Sequence, residues 1–557
     1  MKKIPIGIDD YKKVIEDGYV YVDKTLFIQE IIERGTSVAL IPRPRRFGKT
    51  LNISMLKCFF EKTEEDLSHL FFSYKIWKTE YRKLQGKYPV IFFTLKGIKQ
   101  ESWEQAYEKL KFLIADEFER HRYLLDSPHL SEEEKEIFRL ILRKQESQPV
   151  AELSLKYLIQ WLKRYHGIDV IVLIDEYDSP IHMAYFYGYY SHIINFMRNW
   201  LGEGLKSNAA LERAVITGIL RITKENIFSD LNHVSNFTLL NEDFGDKFGL
   251  LEKEVFSLLS ECGMNNKLED VRNWYNGYQI GSSSVYNPWS VLNYIQHKIL
   301  KPYWVRTSSN DLIKEQIIQT GVFLKKDFED LVLGESITKL VDEGLAFSSL
   351  KNSKEVVWGL LLFSGYLTLV EMPDLSRTRC SCKLAVPNQE VLMLFQDMIQ
   401  DYFTETFSIS LPSLLKTLIE GNVRAFSKDF EQLVMNIFSS HDIPKDEPER
   451  VYHAFVLGLL SSLQDEGYEI KSNRESGLGR YDVCLFPKNP ERLGIILEFK
   501  KAKEEEKNLK ELASSAITQI QTLRYITELK SRGVQKILAL GMVFQGKLVC
   551  IQDKLLK

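Results

Sequence analysis

Two groups of residues in this chain have the types and spacing to act on phosphate. The first begins at Ile41-Pro-Arg-Pro-Arg-Arg-Phe-Gly48-Lys49-Thr50, which follows a short apolar run and opens a helical one. A strand–loop–helix of this kind offers backbone N–H groups and a helix N-terminus to phosphate oxygens. It also offers a Lys ammonium to the β- and γ-phosphates and a Thr hydroxyl to Mg²⁺. Arg46, Gly48, Lys49 and Thr50 are therefore candidate nucleotide contacts. The pattern GxxxxGK[ST] is incomplete, because its first Gly falls at Arg43 in a loop rich in Pro and Arg. A GKT tripeptide alone does not separate a phosphate loop from a plain helix start.

The other half of that site is Val170-Ile-Val-Leu-Ile-Asp175-Glu176, an apolar run ending in two carboxylates. Such a strand places Asp175 beside a nucleotide-bound metal and Glu176 where it orients or deprotonates the attacking water. A strand followed by a solvated acidic turn is the plainer alternative. Two half-sites in the right order, each at the C-terminal end of a predicted strand, favour ATP with Mg²⁺. Thr217 closes another apolar run, either as a sensor of the γ-phosphate or as a structural Thr. Arg221 is either a phosphate contact or half of a surface ion pair.

The second group lies near the C-terminus, at Asp482 and at Gly494-Ile-Ile-Leu-Glu498-Phe-Lys500. Alternation along a strand puts Glu498 and Lys500 on one face. With Asp482 at the start of the neighbouring strand, two carboxylates converge on one divalent cation, Mg²⁺ or Mn²⁺. Hard oxygen ligands, a metal that activates water and a nearby Lys500 suit phosphodiester hydrolysis. A charged edge strand is the alternative, since ExK is common.

These residues need elements to position them. Four β-branched-rich runs, at residues 37–41, 90–95, 170–174 and 214–219, read as buried parallel strands of an α/β sheet. Residues 101–163 read as two or three helices. Residues 245–420 look mainly helical, as in DLIKEQIIQTGVF, with an aromatic group (Trp274, Tyr275, Tyr278, Tyr286, Trp289) that belongs to a core or stacks on bases. Further strands are expected at 481–486, 494–499 and 536–543, with a helix between the last two. The charged run after Lys500 reads as a solvated helix start.

Length and composition set outer bounds. A chain of 557 residues exceeds one core, and its 44% hydrophobic and 27% charged residues are ordinary globular values. A net charge of -3 requires any nucleic-acid contact to come from a local basic patch. Six cysteines without CxxC spacing argue against a disulfide scaffold or zinc site, and for a reducing cytoplasm. The apolar stretch 356–370 is shorter than the roughly 20 residues needed to span a bilayer. It reads as a buried helix, and no membrane is expected.

RPRRFGKT, Tyr21-Val-Asp23-Lys24-Thr25, LIDEYDSP and TGILRITKENIFSDLNH together resemble the AAA-ATPase-like family found beside PD-(D/E)XK nuclease domains in many bacterial genomes. The resemblance covers most of residues 4–235, and Arg in place of the first Gly is a trait of that family. It implies the roles given above for Lys49, Thr50, Asp175 and Glu176, and leaves Asp23 and Lys24 without a derived one. NRESGLGRYD, ILEFK and Ala516-Ile-Thr-Gln519-Ile resemble the PD-(D/E)XK nuclease domain over about residues 430–550. By position that resemblance makes Asp482, Glu498 and Lys500 the core motif, Gln519 a helix-borne auxiliary and Glu475 a further carboxylate.

The expected organisation is a P-loop domain over 1–235, a mainly helical region over 236–420 and a restriction-endonuclease-like α/β domain over 421–557. The function it implies is ATP binding and hydrolysis coupled to metal-dependent cleavage of DNA or RNA. A signalling-type nucleotide switch, or a nucleic-acid-binding ATPase with a non-catalytic nuclease fold, is the competing reading. A homo-oligomer is left open.

Overall fold

The computed structural model describes residues 3–222, 234–304, 326–344 except 333, 356–407 except 378, and 410–440. It also describes 466–556 except 477–478 and 503–504, with a few isolated positions between 456 and 463. They form two compact units, Met1–Ile313 with Thr338–Glu390, and Lys314–Ile337 with Val391–Lys557. The segment DLIKEQIIQTGVF and part of the TGILRITKENIFSDLNH motif lie outside the described residues.

The first unit is built on β1 (Val38–Pro42), β2 (Val90–Thr94), β3 (Val170–Asp175), β4 (Leu211–Gly218) and β5 (Val234–Asn236). They pair in parallel in the order β2-β3-β4-β1-β5. Every residue of β1 and β3 is buried, which is why those segments are continuous apolar runs. Because β4 lies between β1 and β3, the C-terminal ends of all three stand side by side. The expected helices between 101 and 163 are Trp103–Arg120, Glu132–Leu142 and Gln148–His166. The second of these starts with a capping box, Ser131 and Glu134 each satisfying the other's backbone amide. Glu117 on the first accepts the backbone N–H of Phe92 at 2.9 Å, closing an amide on edge strand β2.

Beyond residue 236 the helices Glu252–Glu261, Leu268–Tyr275, Pro288–His297 and Val356–Phe363 are joined by two small sheets. One is the hairpin β6 (Tyr278–Ile280) and β7 (Ser283–Val285). The other is β8 (Ile337–Asp342), β9 (Thr368–Leu369) and β10 (Arg379–Ala385) in the order β8-β10-β9. The apolar stretch from Val356 is helical only to Phe363; Gly365, at φ +87°, turns the chain toward β9. No helix among the described residues is long and apolar enough to cross a membrane. Tyr275, Tyr278 and Tyr286 are buried, and Trp274 and Trp289 pack on the cluster holding Tyr275 and Tyr286, which is the core role.

The second unit contains β11 (Tyr468–Ser476), β12 (Gly479–Pro487), β13 (Gly494–Lys501), β14 (Ile537–Gln545) and β15 (Leu548–Leu556) in that spatial order. Only β13 and β14 are parallel, because the helix Leu509–Thr522 lies between them in the chain. That helix sits so close that a Cβ on Gly541 of β14 would come within 2.1 Å of the Ala513 carbonyl oxygen. The charged run after Lys500 is mostly not helix: Lys501 still belongs to β13, and the helix begins at Leu509 behind its cap Asn508. All six cysteines are free.

Candidate functional site

In the first unit the loop after β1 delivers Lys49 and Thr50 to the start of the helix Lys49–Phe60. Gly48 precedes it at φ +83° and supplies no capping side chain. Arg46 also has a left-handed backbone, at φ +65°, and its guanidinium stands 4.2 Å from the centre of the Trp289 ring. Thr50 Oγ1 donates to one oxygen of Asp175 at 2.7 Å, and Thr217 Oγ1 donates to the other at 2.6 Å. The fully buried Asp175, at the end of β3, thus ties the start of the helix Lys49–Phe60 to the end of β4.

The Lys49 ammonium, buried and surrounded by loop, donates to the carbonyls of Arg43 at 2.9 Å and Pro44 at 2.8 Å. Burial pulls its pKa down, opposed by the negative charges of Glu176, Asp175 and Asp178. Glu176 follows with φ +53°, an uncommon conformation for a non-glycine residue. Burial pushes its carboxyl up; Lys49 opposes this, while Asp175 and Asp178 add to it. Asp178 is fixed by the backbone amides of Ile219 and Leu220 at 2.8 and 2.9 Å. Gly218 is obligatory beside it, since a Cβ there would lie 2.6 Å from the Asp178 carboxylate.

Arg43, where the usual pattern has Gly, is fully buried. Its guanidinium donates to the carbonyls of Pro42 (2.8 Å), Phe237 (2.6 Å) and Asp243 (3.1 Å), and burial pulls its pKa down to about 9. The residue fastens the phosphate loop to the segment after β5. Asp23 accepts from Thr25 and from the Lys75 amide, and Lys24 pairs with Glu254 at 2.7 Å, so both serve the scaffold. Arg221 is committed to Glu343 at 2.8 Å, which is the ion-pair reading.

In the second unit Asp482 on β12 and Glu498 on β13 are neighbours, the Asp482 carboxylate accepting the Phe499 amide at 2.6 Å. Glu498 is 4% exposed. Its Oε1 accepts from Gln519, while Oε2 is buried without a hydrogen-bond partner. Burial, then the charge of Asp482, raises its pKa to about 8. Gln519 turns its own oxygen to the Lys500 ammonium at 3.0 Å, bridging the Glu and the Lys of the motif. Gly541, level with Glu498 on β14, lets the Gln519-bearing helix come this close. Tyr525 is the residue that sequence reasoning passed over. It is buried beside Gln519 and feels both carboxylates, because Arg524 at φ +55° folds the chain back after the helix. Glu475 lies on β11 opposite Arg480, and its side chain is outside the described residues.

Among the described residues no three His, Cys, Asp or Glu side chains cluster as a metal cage. Two carboxylates with one unpartnered buried oxygen nevertheless fit a hard cation that keeps several waters, as Mg²⁺ does. The hydroxyl–carboxylate pair of Thr50 and Asp175 fits a nucleotide-bound Mg²⁺ in the same way.

Residues 5–228 match a family described as predicted AAA-ATPase, and residues 447–554 match the PD-(D/E)XK nuclease superfamily. A protein described only as uncharacterized, from the vnfD 5' region of Azotobacter chroococcum mcd 1, is 24% identical over 506 residues, 87% of each chain. The chain carries an AAA-ATPase-like module and a PD-(D/E)XK nuclease-superfamily domain.

Proposed function

We propose that the chain binds and hydrolyses ATP through Lys49, Thr50, Asp175 and Glu176, and cleaves phosphodiester bonds of DNA or RNA through Asp482, Glu498 and Lys500. The observation that carries the hydrolase reading is the buried, unpartnered Glu498 oxygen beside the Asp482 carboxylate. Most buried carboxylates are paired; one whose pKa is raised by its surroundings, and which leaves an oxygen without a donor beside a second carboxylate, suits a cation.

Asp482 and Glu498 would hold the divalent metal, which when bound polarises the phosphate and acidifies a water. Gln519 positions the other two members, fixing Glu498 with its amide and Lys500 with its carbonyl. Lys500 then presents an ammonium to the developing negative charge. In the first unit Glu176, raised by burial, orients the attacking water, and Lys49 leaves its loop carbonyls for the phosphates. Six free thiols support a reducing cytoplasm as the place of action.

The test is cleavage of single- and double-stranded DNA and RNA, with and without ATP and with Mg²⁺ or Mn²⁺, in the parent, Lys49→Ala and Asp482→Asn. Metal-dependent cutting that Asp482→Asn abolishes is expected. ATP turnover without any cleavage would leave the nucleotide-switch reading in its place.

A further inference from the structure

The region between the two sites contains no residue that chemistry alone singles out, yet it reaches the phosphate loop, and one of its contacts there is to the Arg45 carbonyl. The Trp304 indole N–H, on a side chain 2% exposed, donates to the Arg45 carbonyl at 2.7 Å. Trp304 is itself held firmly: its backbone amide and that of Tyr303 each donate to Glu390 Oε1 at 2.6 Å. Glu390 is fully buried, and Ser290 donates to its other oxygen at 2.8 Å.

Four successive carbonyls of the loop are occupied by side chains. Arg43 takes that of Pro42, Lys49 takes those of Arg43 and Pro44, and Trp304 takes that of Arg45. In a trans peptide the C=O and the following N–H point in opposite directions. A carbonyl drawn toward Trp304 therefore sends the Arg46 amide the other way. Arg46 and Gly48, at φ +65° and +83°, give the loop the left-handed backbone from which anion-binding amide nests are made.

On the phosphate-site reading proposed above, we infer that Trp304, buttressed by Glu390, is a positioning residue for nucleotide binding. It keeps the Arg45 carbonyl from facing the phosphates and turns the Arg46 amide to them. Its importance grows when nucleotide arrives, because Lys49 then gives up the Arg43 and Pro44 carbonyls while Trp304 keeps its own.

Steady-state ATP turnover with Mg²⁺ tests this on the full chain. Trp304→Phe keeps an aromatic ring and removes the N–H. The KM for ATP should rise about five- to tenfold, the worth of one buried hydrogen bond, with kcat within about twofold. Glu390→Ala should shift KM the same way, and Glu390→Gln, which keeps an acceptor, should recover most of the loss. Should Trp304→Phe not fold, Ser290→Ala loosens Glu390 without touching the loop and should raise KM about twofold. A parental KM in the folded Trp304→Phe, with binding lost in Lys49→Ala, overturns the inference and leaves the ATP site standing. A fall in kcat alone also overturns it. A parent that neither binds nor turns over MgATP overturns both.

Discussion

Glu498→Gln should change how the protein couples metal, protons and stability. In the metal-free state the Glu498 pKa lies near 8, against an ordinary 4.5. The folded form therefore holds a proton that the unfolded form has released throughout this range. Stability from this group falls as pH rises from about 4.5 through 8. At about 1.4 kcal/mol per pH unit, the full gap costs about 5 kcal/mol above pH 8. A divalent cation needs the ionised carboxylate, so its binding must expel that proton. Calorimetric titration of Mg²⁺ without nucleotide, in buffers of different ionisation enthalpy, counts the protons released. The parent should release close to one at pH 6.5, about half of one at pH 8 and almost none by pH 9.5. Mg²⁺ affinity should drop about tenfold per pH unit below 8. Gln at 498 still accepts from Gln519, so Glu498→Gln should abolish this release and melt later than the parent at pH 8. Proton release that persists in Glu498→Gln, or is absent from the parent at pH 6.5, would refute the assignment.

At the phosphate site, Lys49→Ala should weaken MgATP binding by about 10- to 100-fold, and Glu176→Gln should keep binding while slowing turnover by about 10²- to 10⁴-fold. Equilibrium binding and steady-state turnover check the two. Arg43→Gly restores the usual pattern yet strands three carbonyls; it should cost about 3 kcal/mol and lower the melting temperature of the first unit. Gly541→Ala drives a methyl into the Ala513 carbonyl and should push Gln519 away from Glu498 and Lys500. Nuclease rate should fall about 10²-fold, with Mg²⁺-induced stabilisation largely retained; loss of that stabilisation would show that Gln519 matters to the metal as well.

The central strands of the first sheet were legible because burial on both faces leaves an unbroken apolar run, and Asp175 and Thr217 could be placed at their ends. Strands of two or three residues, such as β5 to β7 and β9, are too short to show a period. β11 and β15 went unremarked because their charged positions mask the alternation. Of the C-terminal site, strand alternation put Asp482, Glu498 and Lys500 near one another, whereas Gln519, which bridges Glu498 and Lys500, was implied only by the family resemblance. Tyr525 did not stand out, since the turn at Arg524 that brings it back is set by backbone, not by a motif. The roles of Arg43 and Trp304 were invisible for a different reason: their main partners are backbone carbonyls far away in the chain, and every residue type has one.

Arg43 also sets an order of events during synthesis. Its carbonyl partners at Phe237 and Asp243 lie 194 and 200 residues downstream, and the partner of Lys24, Glu254, lies 230 residues downstream. At roughly 5–20 residues per second, a ribosome needs about 10–40 s to supply the first two after Arg43 has been made. Until then a guanidinium destined for the interior stays in water, and the loop it fastens has no fixed shape. Nascent chains arrested shortly before residue 237 should thus contain every residue of the nucleotide motif and still fail to retain ATP, whereas chains long enough for Phe237, Asp243, Glu254, Trp304 and Glu390 all to have left the exit tunnel should hold it.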